Sequence, residues 1–304
     1  MSDVQYLNEF LESEINIDKT RLDRLNSSVS AVMNYVSSSS VFEEIYTGYG
    51  TQGSYAHRTI IKPSIKKKEF DADVLVFLTK KDGWEAADYI EEFYKEFRKS
   101  GVYREKVKRS TRCITIDYTG EFHIDIVPFF KRFFGNDQIV NKNTSEFEST
   151  DSLGYSEWLD EKNSTVGNDY LILTIRLLKY LRNIKQTFSV KSVLLTTMIG
   201  NQVKWNDGFF TNFADLPSAL RILLGRLDDW LQDNPDMPVI SNPVMDEEDF
   251  VRHWNQNRYS NFREKIHIYR SWVDEACGEE DEAESIKKWR KIFGEKYAQA
   301  ALMA

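Results

Sequence analysis

Between Leu22 and Val36 the apolar side chains recur at three- and four-residue steps: Leu22, Leu25, Val29, Val32, Val36. That spacing predicts an amphipathic helix with Asp18 as its N-cap. The serine run Ser37–Ser40 ends it. Val41–Tyr46 predicts a strand, and a glycine-rich turn runs from Gly48 to Ser54. Phe70–Leu78 predicts a second strand, apolar on both faces except at Asp71 and Asp73. Trp84–Phe97 carries Ile90, Phe93, Tyr94 and Phe97 on one helical stripe. Two more strands, about 111–118 and 121–127, are joined through the turn pair Thr119–Gly120.

Past residue 150 the period changes. Strand signals fade, and helices are predicted over about 167–185, 189–203, 215–232, 247–255, 260–277 and 281–300. The polar stretch Asn141–Glu146 reads as the linker between the halves. The loop Asn234–Pro243 holds three of the six prolines and separates the last helices. No internal repeat interrupts this reading. The fold class expected is therefore α/β followed by all-α, divided as residues 1–150 and 151–304.

Composition narrows the class. Of the 304 residues 41% are hydrophobic and 13% aromatic, which excludes a disordered chain. No apolar run approaches the roughly 18–20 residues that span a bilayer. The first residues, Met1–Val4, lack the basic and apolar regions of a signal peptide. Two cysteines, Cys113 and Cys277, exclude a disulfide framework and a cysteine zinc site. A cytoplasmic, reducing location and no membrane partner are expected. The net charge of -8 argues against a chain built to grip long phosphate backbones. The segment Lys95–Arg112 is locally basic, and reads as a solvated helix end and edge strand.

Chemistry enters with the two aspartates. Residues two apart on a strand share a face, so Asp71 and Asp73 stand side by side. Alone, that pair equally suits an exposed strand end. Phe122–Pro128 is another apolar strand with one carboxylate, Asp125. Laid beside Phe70–Leu78, it brings three carboxylates together. Such a set can hold two Mg²⁺ roughly 4 Å apart for in-line phosphoryl displacement. Gly53–Ser54 adds a turn ahead of a short helix, where a backbone without a Cβ and a hydroxyl can meet an anion. For Ser54 the plain alternative is a helix cap. His123 is expected to pack or to support a neighbour rather than to bind metal.

The order Gly53–Ser54, Asp71 and Asp73, Asp125 resembles the polymerase-β-like nucleotidyltransferase superfamily. Finer detail resembles the cGAS/DncV-like nucleotidyltransferases (CD-NTases) of bacterial anti-phage signalling. The resemblance rests on Gln52–Pro63 (QGSYAHRTIIKP), His123–Pro128 (HIDIVP), Thr150–Leu159 (TDSLGYSEWL), Ile175–Arg182 (IRLLKYLR), Val190–Val193 (VKSV), Asn242–Val244 (NPV) and Lys288–Gly294 (KWRKIFG). It spans about residues 20–295. The basic insertion Lys66–Lys68 departs from it by lengthening the loop before Asp71.

The resemblance implies a palm domain carrying a long N-terminal helix, a helical oligoadenylate-synthetase-like domain, and an active-site cleft. It implies a metal-dependent enzyme, with Mg²⁺ or substituting Mn²⁺, that joins ATP, GTP or other ribonucleoside triphosphates into a cyclic di- or trinucleotide. Pyrophosphate is released and the product acts on a separate effector protein; no nucleic acid is obligatory. Asp71, Asp73 and Asp125 are the implied metal ligands, with Asp125 serving the attacking hydroxyl. Gly53 and Ser54 hold the β- and γ-phosphates, and Lys179 and Ser192 reach the terminal phosphates from the helical half. For Lys179 the plain alternative is a solvated lysine, and for Ser192 a cap. Arg58, Lys62 and Lys191 are weaker phosphate candidates. The small-residue tail beyond Tyr297 is expected to fray, and by resemblance Ala304 is a candidate point for conjugation machinery. A transferase acting on RNA or protein ends, or an inactive nucleotide-binding module, are the competing readings.

Overall fold

A computed structural model describes residues 2–63, 69–210, 213–252 and 254–299. The Lys66–Lys68 insertion and the tail that ends at Ala304 lie outside the described residues.

The chain forms two compact units. One gathers Met1–Asn16, Thr59–Ser64 and Glu157–Ala304, and the other Ile17–Arg58 and Ile65–Ser156. This differs from the division at 150/151. The boundary falls at 156/157, inside a helix, and the first sixteen residues group with the helical half. Helix α1 (Asp3–Phe10) runs into a π-helical turn, Leu11–Ile15. Tyr6, Leu7, Phe10, Leu11 and Ile15 are all buried there. Phe10 meets the ring of Tyr180 at 5.3 Å and that of Phe293 at 5.6 Å. Burying five such side chains is what ties this segment to its unit.

Helix α2 (Lys19–Ser37) forms as its spacing predicts. The Asp18 carboxylate accepts from the Arg21 N–H at 2.9 Å, satisfying a first-turn donor. Leu25, Val29, Val32 and Val36 are buried. Val41–Tyr46, expected as a strand, instead makes turns that bury Phe42 and Ile45. The strand is the next segment, β1 (Tyr46–Gln52). Its glycines disguise it, yet one of them is required. A Cβ on Gly50 would come within 2.9 Å of the Phe77 ring on the neighbouring strand. Helix α3 is a single turn, Gly53–Ala56.

Next come β2 (Phe70–Leu78), α4 (Ala86–Lys99), β3 (Val107–Arg109), β4 (Ile114–Tyr118) and β5 (Phe122–Phe130). The Thr119–Gly120 turn joins β4 and β5 as expected, with Gly120 at φ +82°. The sheet order is β1-β2-β5-β4-β3. Among the described residues only β2 and β5 pair in parallel. Tyr89, Ile90, Phe93 and Phe97 of α4 are fully buried, and Phe93 stacks on Phe42 at 4.2 Å. Strands β6 (Asp137–Asn141) and β7 (Glu146–Thr150) extend the sheet from the end of β5. The stretch read as a linker is their turn. There the Asn141 side chain accepts from the N–H of Asn143 at 3.0 Å, an Asx turn.

Helix α5 (Ser152–Val166) crosses the boundary between the units. In the helical unit, α6 (Tyr170–Lys185) buries Leu171, Ile172, Ile175, Leu177, Leu178 and Leu181, and α7 (Ser192–Gly200) is apolar and buried along most of its length. A short turn α8 (Asp207–Phe210) precedes α9 (Leu216–Asp233), which Asp215 caps by accepting from Ser218 N–H at 2.8 Å. The helix expected near 247–255 is absent. Strands β8 (Ser241–Asn242) and β9 (Met245–Asp249) form a small ladder there. Helices α10 (Gln256–Cys277) and α11 (Glu282–Phe293) complete the unit. Helix α11 stops at Phe293 rather than near 300, because Gly294 turns the chain at φ +87°. Past Tyr297 the first residue is not frayed: Ala298 is buried, and Arg290 donates to the carbonyls of Tyr297 and Ala298. Among the described residues no helix is long and apolar enough to cross a membrane.

Asp228 of α9 is fully buried and accepts from Gln232 Nε2 at 2.8 Å and Arg270 Nη1 at 3.1 Å, with His267 Nδ1 at 3.0 Å. Burial pushes its carboxyl up, but these partners outweigh it and hold it below the usual carboxylate range. A carboxyl depressed in the folded state contributes stability above its unfolded value, near pH 4, and loses it as pH falls through the folded value. We expect Asp228→Asn to cost about 2 kcal/mol at pH 7. The gap to wild type should close below about pH 4 in urea denaturation.

Candidate active site

The parallel register of β2 and β5 sets Asp73 opposite Asp125 and Asp71 opposite His123. The antiparallel strands on either side extend both rows. Thr115 of β4 stands opposite Asp125 and Asp117 opposite His123, while Gln52 of β1 stands opposite Asp73. Two cross-strand rows result, Asp71–His123–Asp117 and Gln52–Asp73–Asp125–Thr115. The intervening residues Ala72, Val74, Ile124 and Ile126 are fully buried on the other face. At this end of the strand pair one face is thus core and the other polar, because side chains alternate along a strand; farther along, Leu75 and Phe129 are buried on the second face too.

Each outer carboxylate has a neighbour on the next strand. His123 Nε2 lies 2.8 Å from Asp71 Oδ1, and His123 Nδ1 lies 3.7 Å from Glu69 Oε2. The Asp71 hydrogen bond raises the imidazole above its ordinary value. Thr115 Oγ1 donates to Asp125 Oδ1 at 2.5 Å. Burial holds the Asp125 carboxyl above the usual range, and the Thr115 bond works against that rise. The Cys113 thiol is pushed up to about 12, first by burial and then by the charge of Asp125. It is therefore no thiolate nucleophile at neutral pH.

Gly53 closes the site. Its φ is +66°, and a Cβ there would run into Asp73 Oδ2. The bare backbone at the start of α3 is therefore laid against the Asp73 carboxylate. Ser54 is not the cap of that turn; Gln52 is the N-cap residue, and no side chain caps it. Among the described residues the Ser54 hydroxyl has no partner. As the side chains stand, no three His, Cys, Asp or Glu among the described residues are gathered closely enough to hold a metal ion. Asp71 faces His123 and Asp125 faces Thr115. The donor set nevertheless suits a hard cation: three carboxylates on one polar face, with a cradle at Gly53 that any other residue would fill.

The remaining candidates lie in the helical unit. Lys179 is no solvated lysine at the edge of its helix, since it is 3% exposed. Its Nζ donates to the Thr59 carbonyl at 3.0 Å and to Thr59 Oγ1 at 2.8 Å. Ser192 is the first residue of α7, after the N-cap Lys191, and makes no cap of its own. Its hydroxyl accepts from Arg182 Nη1 at 3.3 Å. Lys62 is engaged within its own unit, donating to the Ser13 carbonyl at 2.6 Å. The fold therefore groups Asp71, Asp73, Asp125, Gly53 and Ser54 in the sheet unit, and Lys179 and Ser192 in the helical one.

Of the basic run Lys95–Arg112, Lys95, Lys99, Lys108, Arg109 and Arg112 meet carboxylates of Glu92, Glu96, Asp117, Glu91 and Glu148. That is an ion-paired surface rather than a free basic patch. Sequence reasoning missed Thr115, Thr59 and Arg182. Thr115 was within reach, because counting back from the Thr119–Gly120 turn pairs Tyr118 with Phe122 and so Thr115 with Asp125. Nothing in the sequence marks Thr59 or Arg182 as hydrogen-bond partners.

Known proteins share this chain's fold and family. The model of the SMODS family, described as the Second Messenger Oligonucleotide or Dinucleotide Synthetase domain, matches residues 1–163. A c-di-GMP synthase from Roseivirga ehrenbergii is 25% identical over 306 residues, covering 88% of this chain and 78% of the relative. The Vibrio cholerae cyclic AMP-GMP synthase DncV, solved with nonhydrolyzable GTP, superposes with a TM-score of 0.79 at 14% identity, over 98% of this chain and 97% of that one. The Bradyrhizobium diazoefficiens CD-NTase CdnG, solved with GTP, gives 0.78 at 17% identity, over 99% and 98%. At such identities the superpositions show a shared fold, that of the polymerase-β-like nucleotidyltransferases, and the family match completes the assignment. The chain belongs to the second-messenger oligonucleotide or dinucleotide synthetases, the CD-NTase family of nucleotidyltransferases that make cyclic oligonucleotide messengers.

Proposed function

We propose that this protein joins ribonucleoside triphosphates into a cyclic di- or trinucleotide in a reaction dependent on divalent cations, with two Mg²⁺ held by Asp71, Asp73 and Asp125. The observation that carries this is the register placing Asp73 beside Asp125, with Asp71 two residues away on the same face and the Gly53 backbone against Asp73. A ribose hydroxyl of one nucleotide bonds to the α-phosphorus of another. The bond to the pyrophosphate oxygen breaks and its electron pair leaves with pyrophosphate. The hydroxyl proton passes to Asp125, which stands opposite Asp73 in the register. A second such step closes the ring. What the cations supply when bound is charge neutralisation on the phosphates and a more acidic hydroxyl.

Ser54, with its unpartnered hydroxyl, and the Gly53 backbone hold the β- and γ-phosphates, and Ser192 donates to the terminal phosphate. Lys179 keeps a proposed part at the phosphates through the Thr59 segment it binds. The c-di-GMP synthase relative makes GTP the first substrate to test, and ATP the second. A cytoplasmic location, a separate effector that reads the product, and a place in anti-phage defence follow from the family and complete the reading.

The deciding experiment incubates the protein with Mg²⁺ or Mn²⁺ and each labelled triphosphate, then adds phosphatase. A phosphatase-resistant product supports cyclisation, and a labelled RNA or protein end overturns it. Asp71→Ala with Asp73→Ala should lower product formation by at least about a thousandfold while leaving the unfolding midpoint near wild type. Near wild-type turnover in that variant would remove the metal assignment. Gly53→Ala should displace the Asp73 carboxylate and slow pyrophosphate release by about a hundredfold. A rate within twofold of wild type would show that the Gly53 approach does not matter.

A further inference from the structure

Arg182 lies in the last turn of α6, half-buried, and among the described residues it meets no carboxylate. Its donors go to neutral acceptors: the Val190 carbonyl at 2.9 Å, Asn183 Oδ1 at 3.2 Å and Ser192 Oγ at 3.3 Å. Burial pushes its guanidinium below the ordinary arginine value. A cation held out of water on neutral partners alone is costly. A basic side chain wanted only for the helix C-terminus has no reason to be buried, since that interaction works at the surface.

Donor and acceptor logic gives the reason. A guanidinium has five N–H donors and no acceptor. Ser192 Oγ must therefore accept from Arg182, which leaves the hydroxyl hydrogen to donate elsewhere. Among the described residues that hydrogen has no acceptor. The companion bond to the Val190 carbonyl fixes the backbone two residues earlier, so one side chain sets both where Ser192 sits and which way its hydroxyl is polarised. A hydroxyl that accepts from a cation is itself a stronger donor. Its natural partner is an oxygen that only accepts, as on a phosphate.

We propose that Arg182 is a positioning residue that fixes Ser192 as a hydrogen-bond donor to the polyphosphate of the nucleotide substrate. This rests on the reading of Ser192 as a phosphate contact. Arg182 acts through the serine and does not itself touch the phosphate.

The test is a double-mutant cycle on equilibrium binding of a non-hydrolysable GTP analogue and of GMP, in Mg²⁺, by the full chain. One hydrogen bond predicts that Ser192→Ala and Arg182→Met each weaken the triphosphate analogue about 5- to 10-fold. GMP should change less than twofold. The double variant should bind no more weakly than Ser192→Ala alone, and Arg182→Lys should recover part of the loss. If Arg182→Met weakens binding as much in the Ser192→Ala background as in wild type, Arg182 acts by its own charge and the positioning role is overturned. If Arg182→Met weakens GMP and the triphosphate equally, its role is general structure and the proposal is again overturned. Unchanged triphosphate affinity in Ser192→Ala would instead overturn the underlying reading of the serine. Should Arg182→Met not fold, Arg182→Gln carries the same cycle, because its amide can still donate to Val190.

Discussion

The parallel pairing of β2 with β5 holds the candidate site together. Strands β2 and β5 are separated in the chain by a helix and two strands, and they meet in a register that could have slipped by one residue. A slip of β2 would turn Asp73 into the core and expose Val74, and a slip of β5 would do the same to Asp125 and Ile126. Buried apolar side chains on the opposite face forbid it. Ala72, Val74, Ile124 and Ile126 have no exposed surface, and Phe70 and Phe122 lie 5.5 Å apart at the start of the pair. The hydrophobic effect on one face thus fixes the polar geometry on the other.

That geometry is electrostatically expensive. Three carboxylates on one face repel, and each loses hydration where the strand becomes core. The sheet answers from its neighbours. His123 sits beside Asp71, Thr115 donates to Asp125, and Lys108 binds Asp117 at 2.6 Å at the end of the row. Burial still holds the Asp125 carboxyl above the usual range, against the Thr115 bond.

Much of this was legible in the sequence. Apolar periodicity located α2, α4, β2 and most of the later helices, since each has a one-sided or continuous buried surface. The order of Gly53–Ser54, Asp71, Asp73 and Asp125 marked the sheet residues of the site and the family. What failed did so for identifiable reasons. Strand β1 is glycine-rich because Phe77 crosses it, so propensity pointed one segment too early. The Asn141–Glu146 turn has the polarity of a linker, and polarity alone does not separate a hairpin turn from a domain boundary. The burial of Lys179 left no trace in the sequence, because nothing local shows that Thr59, 120 residues away, comes to meet it. Partners brought together by tertiary structure leave no mark on spacing.

The placement of the first sixteen residues bears on how the chain can be made. Tyr6 donates to Glu282 at 2.8 Å, Asp3 accepts from Ser285 at 2.8 Å, and Glu14 pairs with Lys296. These contacts span nearly the whole sequence. During synthesis the segment Asp3–Ile15 leaves the ribosome well before α6, α9 and α11, the helices that supply its partners. The sheet unit between them, complete by Ser156, can form while the ribosome is still elongating the helical half. The nascent chain therefore carries Tyr6, Phe10 and Ile15 without their burial partners until the helical half has been made.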